Sequence, residues 1–250
     1  MKLLSFRAHR VLLVLAIIAG FSSTQVIAKG NPANNNVSFR IVQLSPDSPN
    51  FDFCDNGVIF ATDIAFTDHT KYKYIPAAPE SNAFTRSNAG DGCDNVLNTS
   101  VFTLPAGTVV SAIAMGSMNT VPPTAVIGPP ATITLDNNTP AEQGSVKVRF
   151  FNFALASGTD TVDLVANGVT IADDAAALRN GGFVFMSQYI TLPKGQTSFE
   201  VRDNDGNTLA SAGRIQLGNR GVYTVFFHGD DNTGTDVLIT EDSNNGKTVK

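Results

Sequence analysis

The sequence predicts an all-β chain folded as two tandem antiparallel β-sandwich domains, and three observations carry that prediction. One pattern occurs twice: Val37-Ser-Phe-Arg-Ile-Val opens one segment and Val146-Lys-Val-Arg-Phe-Phe opens another. An Asp-x-x-x-Asn-Gly element follows each, Asp52 to Gly57 and Asp163 to Gly168, and each segment later closes on a leucine, a glycine and a β-rich run, from Leu104 and from Leu217. Repetition at roughly 110 residues means two copies of one domain, not a solenoid. The second observation is period-two alternation, with Val37, Phe39 and Ile41 set against Ser38 and Arg40, and Val146, Val148 and Phe150 set against Lys147 and Arg149. The third is turn chemistry. Asn56-Gly57, Asn167-Gly168 and Asp205-Gly206 each lie between β-rich runs, where a hairpin turn needs positive φ.

The start of the chain reads as a targeting segment. Lys2, Arg7 and Arg10 form a basic region, Val11 to Phe21 an apolar run, and Val26-Ile27-Ala28 a small-residue cleavage site. Residues 1–28 are therefore expected to be a signal peptide cut after Ala28, and the mature chain to be secreted or periplasmic. As a helix, the apolar run would reach only about 16 Å against about 30 Å of hydrocarbon, which disfavours a membrane anchor. No cysteine follows the run, and no later stretch is apolar and long enough to span a bilayer. Cleavage leaves 14 basic against 22 acidic residues, a formal charge of −8. An acidic chain without a basic cluster is a poor partner for nucleic acid or anionic lipid.

Lys29 to Asn36 reads as a disordered leader, 37–135 as the first domain, 136–144 as a polar linker, 145–242 as the second domain and 243–250 as a polar tail. Each domain is long enough for its own core. Thr197 to Arg202 and Thr208 to Gly213 read as a hairpin, Val222 to Phe227 as a buried strand, and Val237 to Thr240 as the last strand, matching Thr132 to Leu135. The one candidate helix, Ala172 to Arg179, is short and reads as a loop turn.

Arg40 and Arg149 occupy one repeat position, and Asp52 and Asp163 another. The expectation is a pair of structural cross-strand ion pairs, Arg40–Asp52 and Arg149–Asp163, each contributing roughly 0.2–1 kcal/mol. The competing reading is a charged recognition spot. Cys54 and Cys93 are the two cysteines of the chain, and an even pair in an exported protein reads as a disulfide.

Val37-Ser-Phe-Arg-Ile-Val-Gln-Leu-Ser-Pro-Asp-Ser-Pro-Asn-Phe-Asp resembles the opening of bacterial DUF4397 domains, roughly V-R-V-x-x-A-S-P-D-A-P-x-V-D-V. Their later V-P-A-G-x-x-x-x-x-V-R segment resembles Leu192 to Arg202 and, in stretched form, Ile75 to Arg86. The second copy departs at Ala154-Leu-Ala-Ser-Gly158, where the first has Ser45-Pro-Asp-Ser-Pro49. The resemblance covers nearly all of residues 37–242. It implies exported tandem immunoglobulin-like modules and no reaction, since the family's function is unknown.

Signals for catalysis are sparse. His69 and His228, one per repeat, do not align, and no G-x-S-x-G, H-E-x-x-H or P-loop occurs. Asp173-Asp174 and Asp230-Asp231 are adjacent in loops, unlike the paired acids of a glycosidase. Asp203 to Asn207 and Asp230 to Asp236 begin like calcium loops but lack the remaining ligands. The chain has no tryptophan, and Tyr72, Tyr74, Tyr189 and Tyr223 fall in runs read as strands, which weakens a sugar platform. The sequence thus predicts a non-catalytic exported binding or structural module without cofactor or metal, its partner an unknown protein or glycan. The alternatives are a secreted hydrolase of polysaccharide or peptide, and a calcium-stabilised adhesion module.

Overall fold

The computed structural model of the protein describes residues 35–77, 82–115, 131–136, 139–156, 158–177, 187–242 and 247–248. The signal segment lies outside them, as does most of the expected leader. The described residues contain strands and no helix.

The first unit contains β1 (Asn36–Gln43), β2 (Phe51–Asp55), β3 (Val58–Ile64), β4 (Lys73–Pro76), β5 (Asn82–Asn88), β6 (Val96–Phe102), β7 (Val109–Ala114) and β8 (Ala131–Leu135). They form two sheets, ordered β4-β1-β7-β8 and β3-β2-β5-β6. The second unit contains β9 (Ser145–Asn152), β10 (Thr161–Ala166), β11 (Val169–Ala176), β12 (Ile190–Pro193), β13 (Gly195–Arg202), β14 (Thr208–Leu217), β15 (Val222–Asp230), β16 (Gly234–Glu241) and β17 (Lys247–Thr248). Its sheets run β12-β9-β15-β16-β17 and β11-β10-β13-β14, the same order with one strand added. Pairing is antiparallel except that β1 runs parallel to β7 and β9 to β15.

Alternation explains the sandwich. Val37, Phe39 and Ile41 point from β1 to the inside of the first unit, where Phe39 stacks on Phe84 with ring centroids 4.8 Å apart and meets Phe60 edge-on at 5.3 Å. Val146, Val148 and Phe150 do the same from β9, packing on Leu164, Phe199 and Val225. Both β1 and β9 also bury their opposite faces. Val42, Leu44, Ile113 and Met115 of the first unit pack against Phe151, Phe153, Phe226 and Leu238 of the second. The two units therefore meet sheet to sheet over a shared apolar seam.

The Asn-Gly turns form as expected. Asn56 and Gly57 take φ of 47° and 77°, and Asn167 and Gly168 take 48° and 81°, the all-positive pair of a type I′ hairpin. Asp205-Gly206 differs. It lies in the longer loop 203–207, where only Gly206 of the two has positive φ. The Asp203 carboxylate shapes that loop by accepting the amides of Asp205 and Asn207 at 3.0 and 2.8 Å.

Three boundaries are corrected. Asn36, assigned to the leader, starts β1 opposite Pro76. Residues 172–176, read as a loop turn, belong to β11, because pairing with β10 outweighs a weak local helical signal. Lys247–Thr248 of the expected tail adds β17 to Thr240 and Glu241.

Cys54 on β2 and Cys93 ahead of β6 form a disulfide spanning 39 positions. Closing that loop is expected to stabilise the fold by about 4 kcal/mol in the chain-entropy account. A Cys54→Ala/Cys93→Ala protein should therefore show a markedly lower urea midpoint than the oxidised parent, and equal midpoints would contradict this.

Candidate functional site

The repeated arginines lie in the seam. Arg40 and Arg149 are 0% and 1% exposed. Strand register places Arg40 beside Ser111 of β7, and Ser111 beside Thr134 of β8, with Asp136 just beyond. In the second unit the corresponding set is Arg149, Thr224, Thr240 and Asp242. Within each unit the arginine Nε donates to the neighbouring hydroxyl, to Ser111 Oγ at 2.6 Å and to Thr224 Oγ1 at 2.8 Å. Each hydroxyl donates onward to its own aspartate, Ser111 to Asp136 at 2.6 Å and Thr224 to Asp242 at 2.5 Å.

The shortest ion pairs cross between the units. Arg40 Nη2 donates to Asp242 Oδ1 at 2.7 Å, while Arg149 Nη2 donates to Asp136 Oδ1 and lies 3.5 Å from Asp242 Oδ2. Arg149 Nη1 also donates to Thr134 at 3.1 Å. A tyrosine covers each guanidinium, Tyr72 at 4.7 Å from Arg40 and Tyr189 at 4.9 Å from Arg149. Tyr72 donates to Asp136 at 2.7 Å and Tyr189 to Asp242 at 3.4 Å. Both tyrosines stand immediately before a strand, not within one. Burial acts most strongly and lowers the pKa of both arginines, but the surrounding acids together more than offset it, Asp242, Tyr72 and Asp136 for Arg40 and Asp136, Tyr189 and Asp242 for Arg149, so both end above the ordinary value. Burial, reinforced by Asp136, pushes the Tyr72 phenol well up.

The expected pairs Arg40–Asp52 and Arg149–Asp163 are thus corrected. β1 and β2 belong to different sheets, as do β9 and β10, so these residues are not cross-strand neighbours. Asp52 instead accepts backbone amides, Asp63 at 2.8 Å and Gly90 and Gly92 at 2.9 Å each. Burial acts to raise its pKa, and those amides outweigh it, leaving Asp52 below the usual carboxylate range. Alternation identified the face of each arginine, but nothing local in the sequence shows that a second domain covers that face.

Asp163 shares only part of this arrangement. It accepts the Asp174 amide at 3.0 Å, as Asp52 accepts that of Asp63. Asp173 then stands where the first unit has Thr62. The carboxylates of Asp163, Asp173 and Asp174 lie within 4.8 Å of one another, a set of oxygen donors that suits a hard divalent cation. Repulsion from Asp163 raises the Asp173 pKa, aided by a hydrogen bond to Asp163 and by Asp174. The sequence reading passed over this set because Asp163 joins the adjacent pair only through the β10–β11 register. The two suspected calcium loops are hairpin turns, in which Asp203 and Asp230 accept nearby amides.

His69 and His228 border the seam. The His69 ring lies 3.3 Å from the Thr70 carbonyl, and burial, aided by the Arg40 charge, lowers its pKa. His228 meets Phe66 of the other unit edge-on at 5.3 Å. Of the remaining tyrosines, Tyr223 is buried and accepts the Gly218 amide at 2.7 Å, while Tyr74 on edge strand β4 is 76% exposed.

A small depression, with room for about one water molecule, opens into the first sandwich. Ile41, Ala112 and Ala114 form one wall and Phe51, Phe53, Phe84 and Phe102 the other. Arg86, Asn98 and Ser100 line it from β5 and β6. Arg86 is 5% exposed, and its guanidinium lies 5.4 Å from the centre of the Phe51 ring. The sequence analysis named Arg86 only as the end of the stretched V-P-A-G-like segment, and Asn98 and Ser100 not at all.

The sequence pattern of the domain of unknown function DUF4397 matches residues 37–164 and 153–249. The chain belongs to the DUF4397 family. The two matches overlap over 153–164, between the end of β9 and the first half of β10, and the second begins after β9, at the segment where the second copy departs from the first. No curated protein is detectably similar to the chain. Among solved structures, family 41 carbohydrate-binding modules from streptococcal virulence factors, described as recognising alpha-glucan, are 12% identical over 81% of this chain and 96% of theirs, with a TM-score of 0.23. The family 26 carbohydrate-binding module of Eubacterium rectale Amy13K, solved with maltoheptaose, is 12% identical over 80% of this chain and 95% of its own, with a TM-score of 0.24. Likeness this low carries no argument about what this DUF4397 protein binds.

Two outcomes follow from the charges. Removing one partner of a buried ion pair typically costs about 3–5 kcal/mol, so Asp242→Ala should lower stability by that order. In a double-mutant cycle, Arg40→Met should couple strongly with Asp242→Ala and add independently with Asp52→Asn; the reverse pattern would restore the sequence-based pairing. For Asp173, a folded-state pKa raised by repulsion destabilises the fold above that pKa and is harmless below it. Asp173→Asn should therefore raise the melting temperature at neutral pH, and the gain should vanish as the pH falls below about 4. Melting curves against pH check this.

Proposed function

We propose that this DUF4397 protein is an exported, non-catalytic binding module of the cell envelope or extracellular matrix, with a protein or glycan as its partner. One observation carries the reading. The charged side chains that recur in both copies, Arg40, Arg149, Asp136 and Asp242, are spent on pinning the two units together. A duplicated set of reactive residues would have been expected to face solvent or a cleft, and this set is buried in a seam. Export is supported by residues 1–28, with cleavage after Ala28, and by the Cys54–Cys93 disulfide, which suits an oxidising compartment. The units are taken as 36–136 and 145–248, joined by 137–144, the sequence bounds 37–135 and 145–242 being widened to take in the whole of β1, Asp136 and β17. No helix among the described residues is long and apolar enough to cross a membrane.

The Asp163, Asp173 and Asp174 cluster favours a second reading, a calcium-stabilised adhesion module. The melting curves of the parent and the Asp173→Asn protein, repeated with calcium and with chelator, separate the two readings, since an ion bound only by the folded state raises the melting temperature.

The test is to present chain 29–250 to glycan and protein arrays and to analyse every bound partner by mass spectrometry. The expected result is saturable binding with the partner recovered intact. Recovery of a cleaved polysaccharide or peptide would replace this reading with a hydrolase.

A further inference from the structure

We propose that the free edge of β6 pairs antiparallel with β6 of a second copy of this chain, about a two-fold axis at Thr99. The pairing goes beyond the binding-module reading and does not depend on it.

A strand at the edge of a sheet presents unpaired N–H and C=O groups, and proteins guard such edges with charge, proline or a covering segment. Among the described edge strands, β3 carries Asp63, β4 Lys73 and Pro76, β11 Asp173 and Asp174, β12 Pro193, β14 Arg214 and β17 Lys247. Only β6 and β8 carry neither charge nor proline. β8 is short, and its Thr134 and the following Asp136 are committed to the seam. β6 is seven residues long, Val-Leu-Asn-Thr-Ser-Val-Phe, and among the described strands only β5 lies beside it in the sheet. Its Val96 and Val101 are 50% and 58% exposed.

The second unit covers the same edge. β14 is the counterpart of β6, and Thr235 of β16 donates to the Leu209 carbonyl of β14 at 3.0 Å. The β7–β8 ladder ends at Ala114–Ala131, the equivalent of Phe227–Val237. The further pairs from His228–Asp236 to Asp230–Gly234, which bring Thr235 to β14, have no counterpart among the described strands.

The sequence of β6 selects the occupant. A two-fold contact needs a surface that complements itself. β6 has the same pattern from either end, with Val96 and Leu97 before, Val101 and Phe102 after, and Asn98, Thr99 and Ser100 between. Pairing about Thr99 sets Val96 opposite Phe102, Leu97 opposite Val101, Asn98 opposite Ser100, and Thr99 opposite itself. Apolar side chains then meet at both ends, and threonine pairs are favourable cross-strand neighbours. Moving the axis to Asn98 or Ser100 would set Leu97 or Val101 against Thr99. The strand is uncharged, so two copies of an acidic chain meet there without direct repulsion. Pairing joins the two four-stranded outer sheets into one and uses up the edge, so assembly stops at two copies. A standard interface has roughly 20–30 residues a side. A strand of seven residues offers far less, so the dimer is weak and concentration-dependent.

Sedimentation of chain 29–250 between about 1 µM and about 500 µM tests the pairing, and monomer should give way to dimer within that range. Thr99 is exposed. Thr99→Lys should therefore keep the parent melting temperature, and should weaken dimerisation at least about tenfold by setting like charges opposite each other. Register has its own readout. Directly opposite residues have Cα atoms about 4.5–5.5 Å apart, within reach of a disulfide. With oxidised glutathione as oxidant, Thr99→Cys should crosslink two chains at least about tenfold faster than Val101→Cys, whose two positions lie apart along the ladder. If Thr99→Lys does not fold, the crosslinking comparison decides. Monomer throughout the range, a dimer left intact by Thr99→Lys, open-ended aggregates, or equal crosslinking at both positions overturns the proposal. Array binding bears on the binding-module reading alone, and sedimentation on this pairing alone.

Discussion

Two guanidinium groups excluded from water constrain the whole molecule. Neither Arg40 nor Arg149 can remain buried unless a carboxylate meets it, and each finds that carboxylate at the end of the other unit's sheet. The penalty of removing charge from solvent is offset only when geometry and supporting hydrogen bonds are good. Here Ser111, Thr224, Tyr72 and Tyr189 supply those bonds. The apolar cluster around Phe151, Phe153 and Phe226 provides adhesion between the units. The crossed ion pairs provide register, because a slip of either sheet would strand a charge. Separating the units would expose both the apolar seam and two arginine–aspartate sets, so the tandem repeat behaves as one body.

Duplication also sorts the residues by role. Features shared by both copies serve the architecture: the Asn-Gly turns, the parallel pairing of first and seventh strands, and the arginine–hydroxyl–aspartate series. Differences between the copies mark places free to take on separate tasks. Asp52 is held as an anion by the amides of Asp63, Gly90 and Gly92, whereas Asp163 faces Asp173 and Asp174. Arg86 pairs with Phe53 in one unit where Val201 pairs with Leu164 in the other. The first difference creates a local excess of negative charge. The second buries a cation beside a small depression.

The legibility of each feature followed from its range. Strands and hairpins were readable because period-two alternation and Asn-Gly pairs act between close neighbours, as at Val37 to Ile41 and Asn56-Gly57. The disulfide was readable because the chain holds only two cysteines. The faces of Arg40 and Arg149 were readable too, but their partners were not. Asp242 lies 202 positions from Arg40, and no local pattern links them. Asp205-Gly206 misled because its flanking Asp203 captures two amides and enlarges the loop. Residues 172–176 misled because a short alanine-rich run with a weak helical signal reads as a loop turn until β10 pairs with it.

Motif resemblance identified the two DUF4397 copies, while the residues alone were enough for the all-β class, the Asn56-Gly57 and Asn167-Gly168 turns and the Cys54–Cys93 bond. These are consequences of side-chain alternation, φ preference and composition, which act within a strand or a hairpin. Three-dimensional packing was needed to show that the units join sheet to sheet, that the repeated arginines exchange aspartates across that seam, and that Arg86 is buried against Phe51 instead of lying in solvent. Burial of a charge depends on what covers it, and the covering atoms come from residues distant in the chain.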